Sequence, residues 1–505
     1  MRLIPTLKRL ALLCGASLAL LPLGVVVHAQ DATPAPVATP APQVSPAPAP
    51  TPAGWDAAKQ GDENGLTSAD FTTKFEKKDA PEASGGDTAW MLIASALVLF
   101  MTPGLALFYA GMARVKNVLN VLMQSFIAMS IVTVVWIVVG YSLAFAPGND
   151  FIGGLDFAML NKVGQTTFIW NGTKMAIPHQ VFMCFQMMFA VITPALISGA
   201  IVERMKFSVY CVFIALWSLL VYSPMAHMVW GAGGFLFKKG ALDFAGGTVI
   251  HMTSGFSALV LAILLGKRRL SSHEDTRPHN LPMTLIGTGI LWFGWFGFNA
   301  GSAGAANGLA GSAFTVTHIA AAVAGLVWCL IEWVHVKQPT ALGFASGAVA
   351  GLVAITPASG FVSATSAIII GAVVPFLSYG AIQLKNKLQK YDDTLDVFAV
   401  HGLGGTWGAI ATGIFADEKV NSVVTASIKP EDGGRGHLML AQFSSIGLAI
   451  FFGVVGTLVI TLFLKVVFKG IVVSGNEEEA GLDLTQHGET GYVHANGGAE
   501  SAATH

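Results

Sequence analysis

The stretch Ala241–His251, ALDFAGGTVIH, lies between two long apolar runs and sets an aspartate and a histidine at the edge of, or inside, hydrocarbon. A later stretch, Asp396-Val-Phe-Ala-Val-His401, repeats the pattern. Ionisable side chains in a bilayer core cost roughly 2.5–3.5 kcal/mol each even on the lenient insertion scale, so a matched pair reads as functional. A single histidine of this kind is read equally well as a helix-packing residue; two at matched places ask for a shared purpose.

Working outward, the 505-residue chain is 53% hydrophobic and 11% charged, against about 25% charged in soluble proteins. Apolar runs of roughly 20 residues, the length that crosses a bilayer, recur from Thr88 to Lys465. The fold class is therefore an all-α polytopic membrane protein. The formal net charge of −1 and the lack of a basic cluster with interleaved aromatics argue against nucleic acid as a partner. Cys14, Cys184, Cys211 and Cys329 show neither metal-ligand nor disulfide-framework spacing. No metal or cofactor is implied.

Residues 1–29 carry a basic start, an apolar run and Val27-His28-Ala29, the pattern of a cleaved secretory signal peptide. Residues 30–87 form a Pro/Ala-rich extracytoplasmic linker followed by a short polar segment, with no visible chemistry. Residues 88–468 are the membrane domain, with about eleven spans. These run Thr88–Met112, Leu119–Phe145, Pro178–Ile201, Phe207–Gly231, Gly246–Leu265, Leu281–Gly301, Ala313–Val334, Ala341–Thr356, Ala364–Leu384, Asp396–Phe415 and Leu440–Val467. Residues 469–505 form a polar tail. Basic residues concentrate in alternate loops (Arg114/Lys116, Arg204/Lys206, Lys267/Arg268/Arg269/Arg277, Lys385/Lys387/Lys390), which places those loops and the tail in the cytoplasm of an inner-membrane protein, with the mature N-terminus outside.

An internal repeat is legible. Spans one to five end with Asp243…His251 and spans six to ten with Asp396…His401, while Ile192-Thr-Pro-Ala195 is echoed by Ile355-Thr-Pro-Ala358. A five-span repeat must invert in the membrane, which puts a substrate path at the repeat interface near the midplane. The two histidines meet there. A narrow apolar conduit punctuated by imidazole suits a weak acid that leaves its proton outside and crosses as a small neutral molecule; a permanent cation loses too much hydration.

Several motifs, in one order, resemble the ammonium transporter (Amt/Mep/Rh) family, bacterial Amt type: Trp230-Gly, ALDFAGGTVIH, GKRR…PHNLP, GWFGFNAGSAG, ITPASG, DVFAVHG and the tail segment GLDLTQHGETGY. The resemblance implies an inverted five-plus-five helix repeat plus one C-terminal helix, with a pore in each subunit of a homotrimer. It assigns Trp230, Ser302 and Phe189 to an external recruitment site, Phe189 and Phe298 to an aromatic gate, and His251 and His401 to the pore lining. Asp243 and Asp396 become electrostatic and structural supports; Phe185, Trp295 and Thr356 carry weaker, pore-adjacent assignments. The tail is implied to pack beneath a neighbouring subunit and to help form a docking surface for a PII-type signal protein. Glu203-Arg204 reads as a helix-end ion pair or loop contact, and His227 as a vestibule or packing residue. The extended N-terminus and the residues from His494 onward depart from the family pattern without touching the pore motifs.

The function implied is ammonium transport: the cation is recruited outside, deprotonated, and conducted as ammonia past the histidine pair, with or without co-translocation of the proton. The alternatives are a sensor that signals through its tail and partners, and a passive channel for another small neutral solute. A membrane redox protein with bis-histidine ligation is a further class.

Overall fold

The computed structural model describes residues 83–269 and 277–492. The signal peptide, nearly all of the linker, and the residues from His494 lie outside the described residues. Lys78–His505 clusters as one compact unit, and its described part is built almost wholly of helices.

The helices are α1 (Gly85–Met112), α2 (Val115–Phe145), α3 (His179–Ala200), α4 (Phe207–Lys238), α5 (Gly247–Leu265), α6 (Leu281–Gly301), α7 (Gly308–His335), α8 (Ala341–Ile355), α9 (Ala364–Leu388), α10 (398–415) and α11 (Gly434–Val467). A hairpin of β1 (Thr167–Trp170) and β2 (Thr173–Pro178) precedes α3. Every apolar run read from the sequence falls on one of these helices. Nine of them, among the described residues, are long and apolar enough to cross a membrane; α8 and α10 are not in that group. At 1.5 Å per residue the 15-residue α8 reaches about 22 Å, short of a hydrocarbon core of about 30 Å.

Helix α1 begins at Gly85, three residues before the expected Thr88, because Ser84 caps it by accepting from the Asp87 N–H. Its outward face carries Leu92, Ile93 and Phe100, all substantially exposed, as a surface solvated by lipid requires. Its inward face meets α6, where Gly287 and Gly294 leave room for Phe108 and Met101. Small residues at such crossings permit close approach where lipid offers no hydrophobic drive.

Among the described residues there are five π-helical turns, Trp136–Gly140, Ser218–Tyr222, Gly247–Met252, Phe398–Leu403 and Phe452–Gly456, of which the third opens α5 and the fourth opens α10. His251 and His401 each lie in one of them. π-Bulges are rare and concentrate at functional sites, and no residue pattern in the sequence announced them.

Helices α5 and α10 cross at glycines. A Cβ on Gly255 would collide with the backbone of Gly402, and one on Gly405 would meet the Gly247 carbonyl at 2.8 Å. His251 precedes Gly255 by one helical turn and His401 adjoins Gly402, so this crossing is what brings the imidazoles together.

The tail contains α12 (Gly475–Ala480), opened by a capping box between Ser474 and Glu477, and α13 (Leu482–His487). It docks on the start of α2 and on the loop after α3 of its own chain. Val472 pairs with Met205, the Leu482 N–H donates to Asn117 Oδ1 at 2.8 Å, and the Asn120 N–H donates to Asp483 Oδ1 at 2.8 Å.

Candidate functional site

The chain entering α5 is built around one carboxylate. Asp243 accepts from the N–H groups of Gly246 (2.8 Å), Gly247 (2.7 Å), Thr248 (2.7 Å) and Val249 (3.3 Å), and from the Thr248 hydroxyl (2.5 Å). The turn needs Gly246 at φ 114°, a conformation open to glycine. Both carboxylate oxygens are engaged with the first turn of α5, so Asp243 positions the helix and offsets its exposed donors. The Asp243 carbonyl accepts from Trp230 Nε1 at 2.8 Å, which fixes the indole at the end of α4.

One cavity, here the outer one, is lined by Phe185, Phe189, Trp230 and Ser302, together with Trp170 of β1 and Gln186 of α3. Trp170 Nε1 and Asn171 Nδ2 both donate to the Trp230 carbonyl at 3.0 Å, so the hairpin braces the Trp230 segment of α4. The Ser302 hydroxyl donates to the Phe298 carbonyl at 2.9 Å, leaving its lone pairs for a donor in the cavity. Phe189 and Phe298 face each other with ring centroids 4.2 Å apart and planes tilted by 32°. Both are 1% exposed. Phe189 lines the outer cavity and Phe298 an inner one, so this ring pair divides the two.

The inner cavity is narrow and is lined by His251, His401, Trp295 and Phe298 with aliphatic residues such as Ile192 and Leu291. The Nδ1 atoms of His251 and His401 lie 3.2 Å apart. Their rings are inclined by 26° with centroids 5.2 Å apart, and the Trp295 ring stacks on His251 at 5.4 Å. His251 Nε2 has no hydrogen-bond partner among the described atoms. One imidazole must donate its Nδ1–H to the other, so one Nε2 is a bare acceptor and the other carries hydrogen.

Thr356 does not reach the cavity. It accepts from Trp295 Nε1 at 2.8 Å while donating to the Leu352 carbonyl at 2.7 Å, and so holds the indole that backs His251. Phe185 lies beside Phe189, centroids 4.8 Å apart.

The second half departs from the expected pairing. Asp396 sits at φ +59° and its carboxylate meets Lys385 Nζ at 2.5 Å. The residue that caps the start of α10 is Asp393, which accepts from Val397 N (3.1 Å) and Phe398 N (2.8 Å). Asp393 precedes His401 by the same eight positions that separate Asp243 from His251. That spacing was the available signal, and the run of three nearby aspartates masked it. Burial, then the neighbouring Asp396, pushes the Asp393 carboxyl up to about 6.

His227 bonds to two carbonyls, Nδ1 to Ala144 at 3.1 Å and Nε2 to Asn149 at 2.8 Å, and lines neither cavity. Glu203 pairs not with Arg204 but with Arg114, and more distantly with Arg268 at 4.0 Å. Arg204 turns to the carbonyls of Gly266 and Ala200. This network ties the α1–α2, α3–α4 and α5–α6 loops together.

The model of the Ammonium Transporter Family matches residues 89–492, which contain both cavities. The chain belongs to the ammonium transporter family. Among its relatives are the ammonium transporter of Bacillus subtilis, 49% identical over 81% of this chain and 98% of that protein, and ammonium transporter Amt1 of Archaeoglobus fulgidus, 45% identical over 81% of this chain and all of that one. Among solved structures, Mep2 of Saccharomyces cerevisiae superposes with a TM-score of 0.71 at 36% identity, covering 83% of this chain and 94% of that one. A structure described as a sensor Amt protein reaches 0.72 at 29% identity over 80% and 98%. The matched family is one of transporters rather than of enzymes. Within this family fold, the chain offers an aromatic and oxygen-lined basin, a closed ring pair, and an apolar chamber with imidazoles. Such an arrangement can attract a cation, refuse it hydration, and hold a neutral hydrogen-bonding molecule.

Proposed function

We propose that this chain conducts ammonium by separating it into ammonia and a proton at the Phe189–Phe298 pair. The single observation that carries the reading is the His251–His401 contact in an apolar chamber directly beneath that pair. The cation arrives against the Trp230 face, an attraction of about 0.5–2 kcal/mol depending on desolvation, with Ser302 Oγ accepting an N–H. Phe189 completes this recruitment site. Among the described residues that line the chamber below the rings, none carries a carboxylate to replace a hydration shell. Ammonium gives up its proton to water on the outer side, forming hydronium there, and the ammonia formed meets one Nε2 lone pair and one Nε2–H. It donates to the first and accepts from the second. Asp243 and Asp393 hold the helices that present these groups.

Residues 88–468 act as the membrane domain of an inner-membrane protein, with the mature N-terminus outside and residues 469–505 in the cytoplasm. Eleven crossings, with α8 and α10 included, satisfy both the loop charges and that orientation. The working unit is a homotrimer with one pore per chain, and the docked tail offers a surface to a PII-type protein.

The test is a current recording on proteoliposomes after an ammonium jump, with a potassium jump as control. A sustained current with ammonium alone supports the proposal with the proton following. Internal alkalinisation without current supports passage of ammonia alone. Bound ammonium with neither signal contradicts transport and favours a sensor.

A further inference from the structure

The outer cavity contains one polar atom that the reading above leaves idle. Gln186 lies on α3 between Phe185 and the ring-pair residue Phe189, and it lines the cavity with Trp230 and Ser302. It is 8% exposed, and its Oε1 has no hydrogen-bond partner among the described atoms. A buried amide oxygen left without a donor is uncommon and costly. Here it stands where a positively charged donor is received.

We propose that Gln186 Oε1 is a second N–H acceptor of the recruitment site, and that it lets the site count the N–H groups of the arriving cation. The inference rests on the reading of the outer cavity as the recruitment site. The Ser302 hydroxyl spends its own hydrogen on the Phe298 carbonyl, so Ser302 Oγ also offers lone pairs only. Two acceptors beside an indole face match a cation that presents several N–H donors together. Charge attraction to the aromatic faces is shared by any small ammonium ion; hydrogen bonds to a charged donor are the stronger and more directional part. Each methyl group placed on nitrogen removes one donor. The ranking ammonium, methylammonium, dimethylammonium, trimethylammonium then follows from donor number, and tetramethylammonium is held by the aromatic faces alone.

The experiment measures the half-saturating ammonium concentration and the maximal current in proteoliposomes of the full chain. Wild type is compared with Gln186→Leu and Gln186→Glu, and tetramethylammonium serves as a competing blocker. Gln186→Leu is expected to raise the half-saturating concentration about 10-fold, the worth of one hydrogen bond to a charged group. Maximal current stays within about twofold and tetramethylammonium block is unchanged. Gln186→Glu keeps an acceptor and adds charge, so its half-saturating concentration falls below that of wild type. An unchanged half-saturation in Gln186→Leu, or an equal weakening of ammonium and tetramethylammonium, overturns the assignment. A lower maximal current in both variants without any shift in half-saturation marks Gln186 as structural and overturns it too. Absence of any ammonium response in wild type is a different result, and it removes the recruitment reading itself.

Discussion

His251 and His401 face each other through their Nδ1 atoms, 3.2 Å apart, although 150 positions separate them in the chain. The contact exists because α5 and α10 approach to backbone distance at Gly255 and Gly402, and because each helix is entered through an aspartate-capped π turn. The imidazole pair is thus the product of two equivalent halves, and neither half can build it alone.

The crossing is the first thing to break. Gly255→Ala places a methyl group against the Gly402 backbone, which has no rotamer with which to yield. Overpacking of this kind costs about 1–3 kcal/mol, so the thermal midpoint in detergent falls and ammonium current is lost. Gly289→Ala on α6, which meets nothing within 4 Å, leaves both unchanged. Parallel melts and currents of the two variants check this.

Trp295 depends on Thr356. Thr356→Val keeps the volume but removes the acceptor of Trp295 Nε1, leaving a buried donor unmet at a cost of about 1–3 kcal/mol. The indole loses its register on His251, and maximal ammonium current drops several-fold while half-saturation, set in the outer cavity, stays put. Adding Trp295→Phe to Thr356→Val costs little more than either change alone. A double-mutant cycle on maximal current reads that coupling.

Asp393, in the loop between α9 and α10, gives a pH signature. Its carboxyl is raised to about 6 by burial and by Asp396, against about 3.9 in an unfolded chain. A raised acid binds more protons folded than unfolded between these values. By linkage its contribution favours the fold below about pH 4 and is lost as pH rises through about 6. Asp393→Asn, which cannot titrate, flattens the stability change between pH 4 and 6. Thermal melts across that window measure the difference in slope against wild type.

Much of this architecture was readable from residues alone, for identifiable reasons. Long apolar runs betray membrane helices, since lipid tolerates little else, and every run found its helix. The motif around Asp243 named the turn, its glycines and His251. The hairpin's Trp170 was invisible, because a loop tryptophan has no periodicity to place it. Gln186 hid within an aromatic stripe whose neighbours drew the reading. Asp393 lay three residues from the aspartate chosen, and only the eight-residue spacing to His401 distinguishes it. The π turns leave no compositional trace, since they reflect backbone accommodation at the crossing and not side-chain preference.

The most direct test of the central claim, that the imidazole chamber passes ammonia and refuses bare cations, is potassium current in the His251→Ala, His401→Ala double variant beside wild type. The account predicts no potassium current in wild type. It predicts a measurable one in the double variant, where the space vacated by two rings admits water and a hydrated ion, together with loss of ammonium-over-potassium selectivity. A double variant that still carries ammonium at the wild-type rate and still excludes potassium contradicts it.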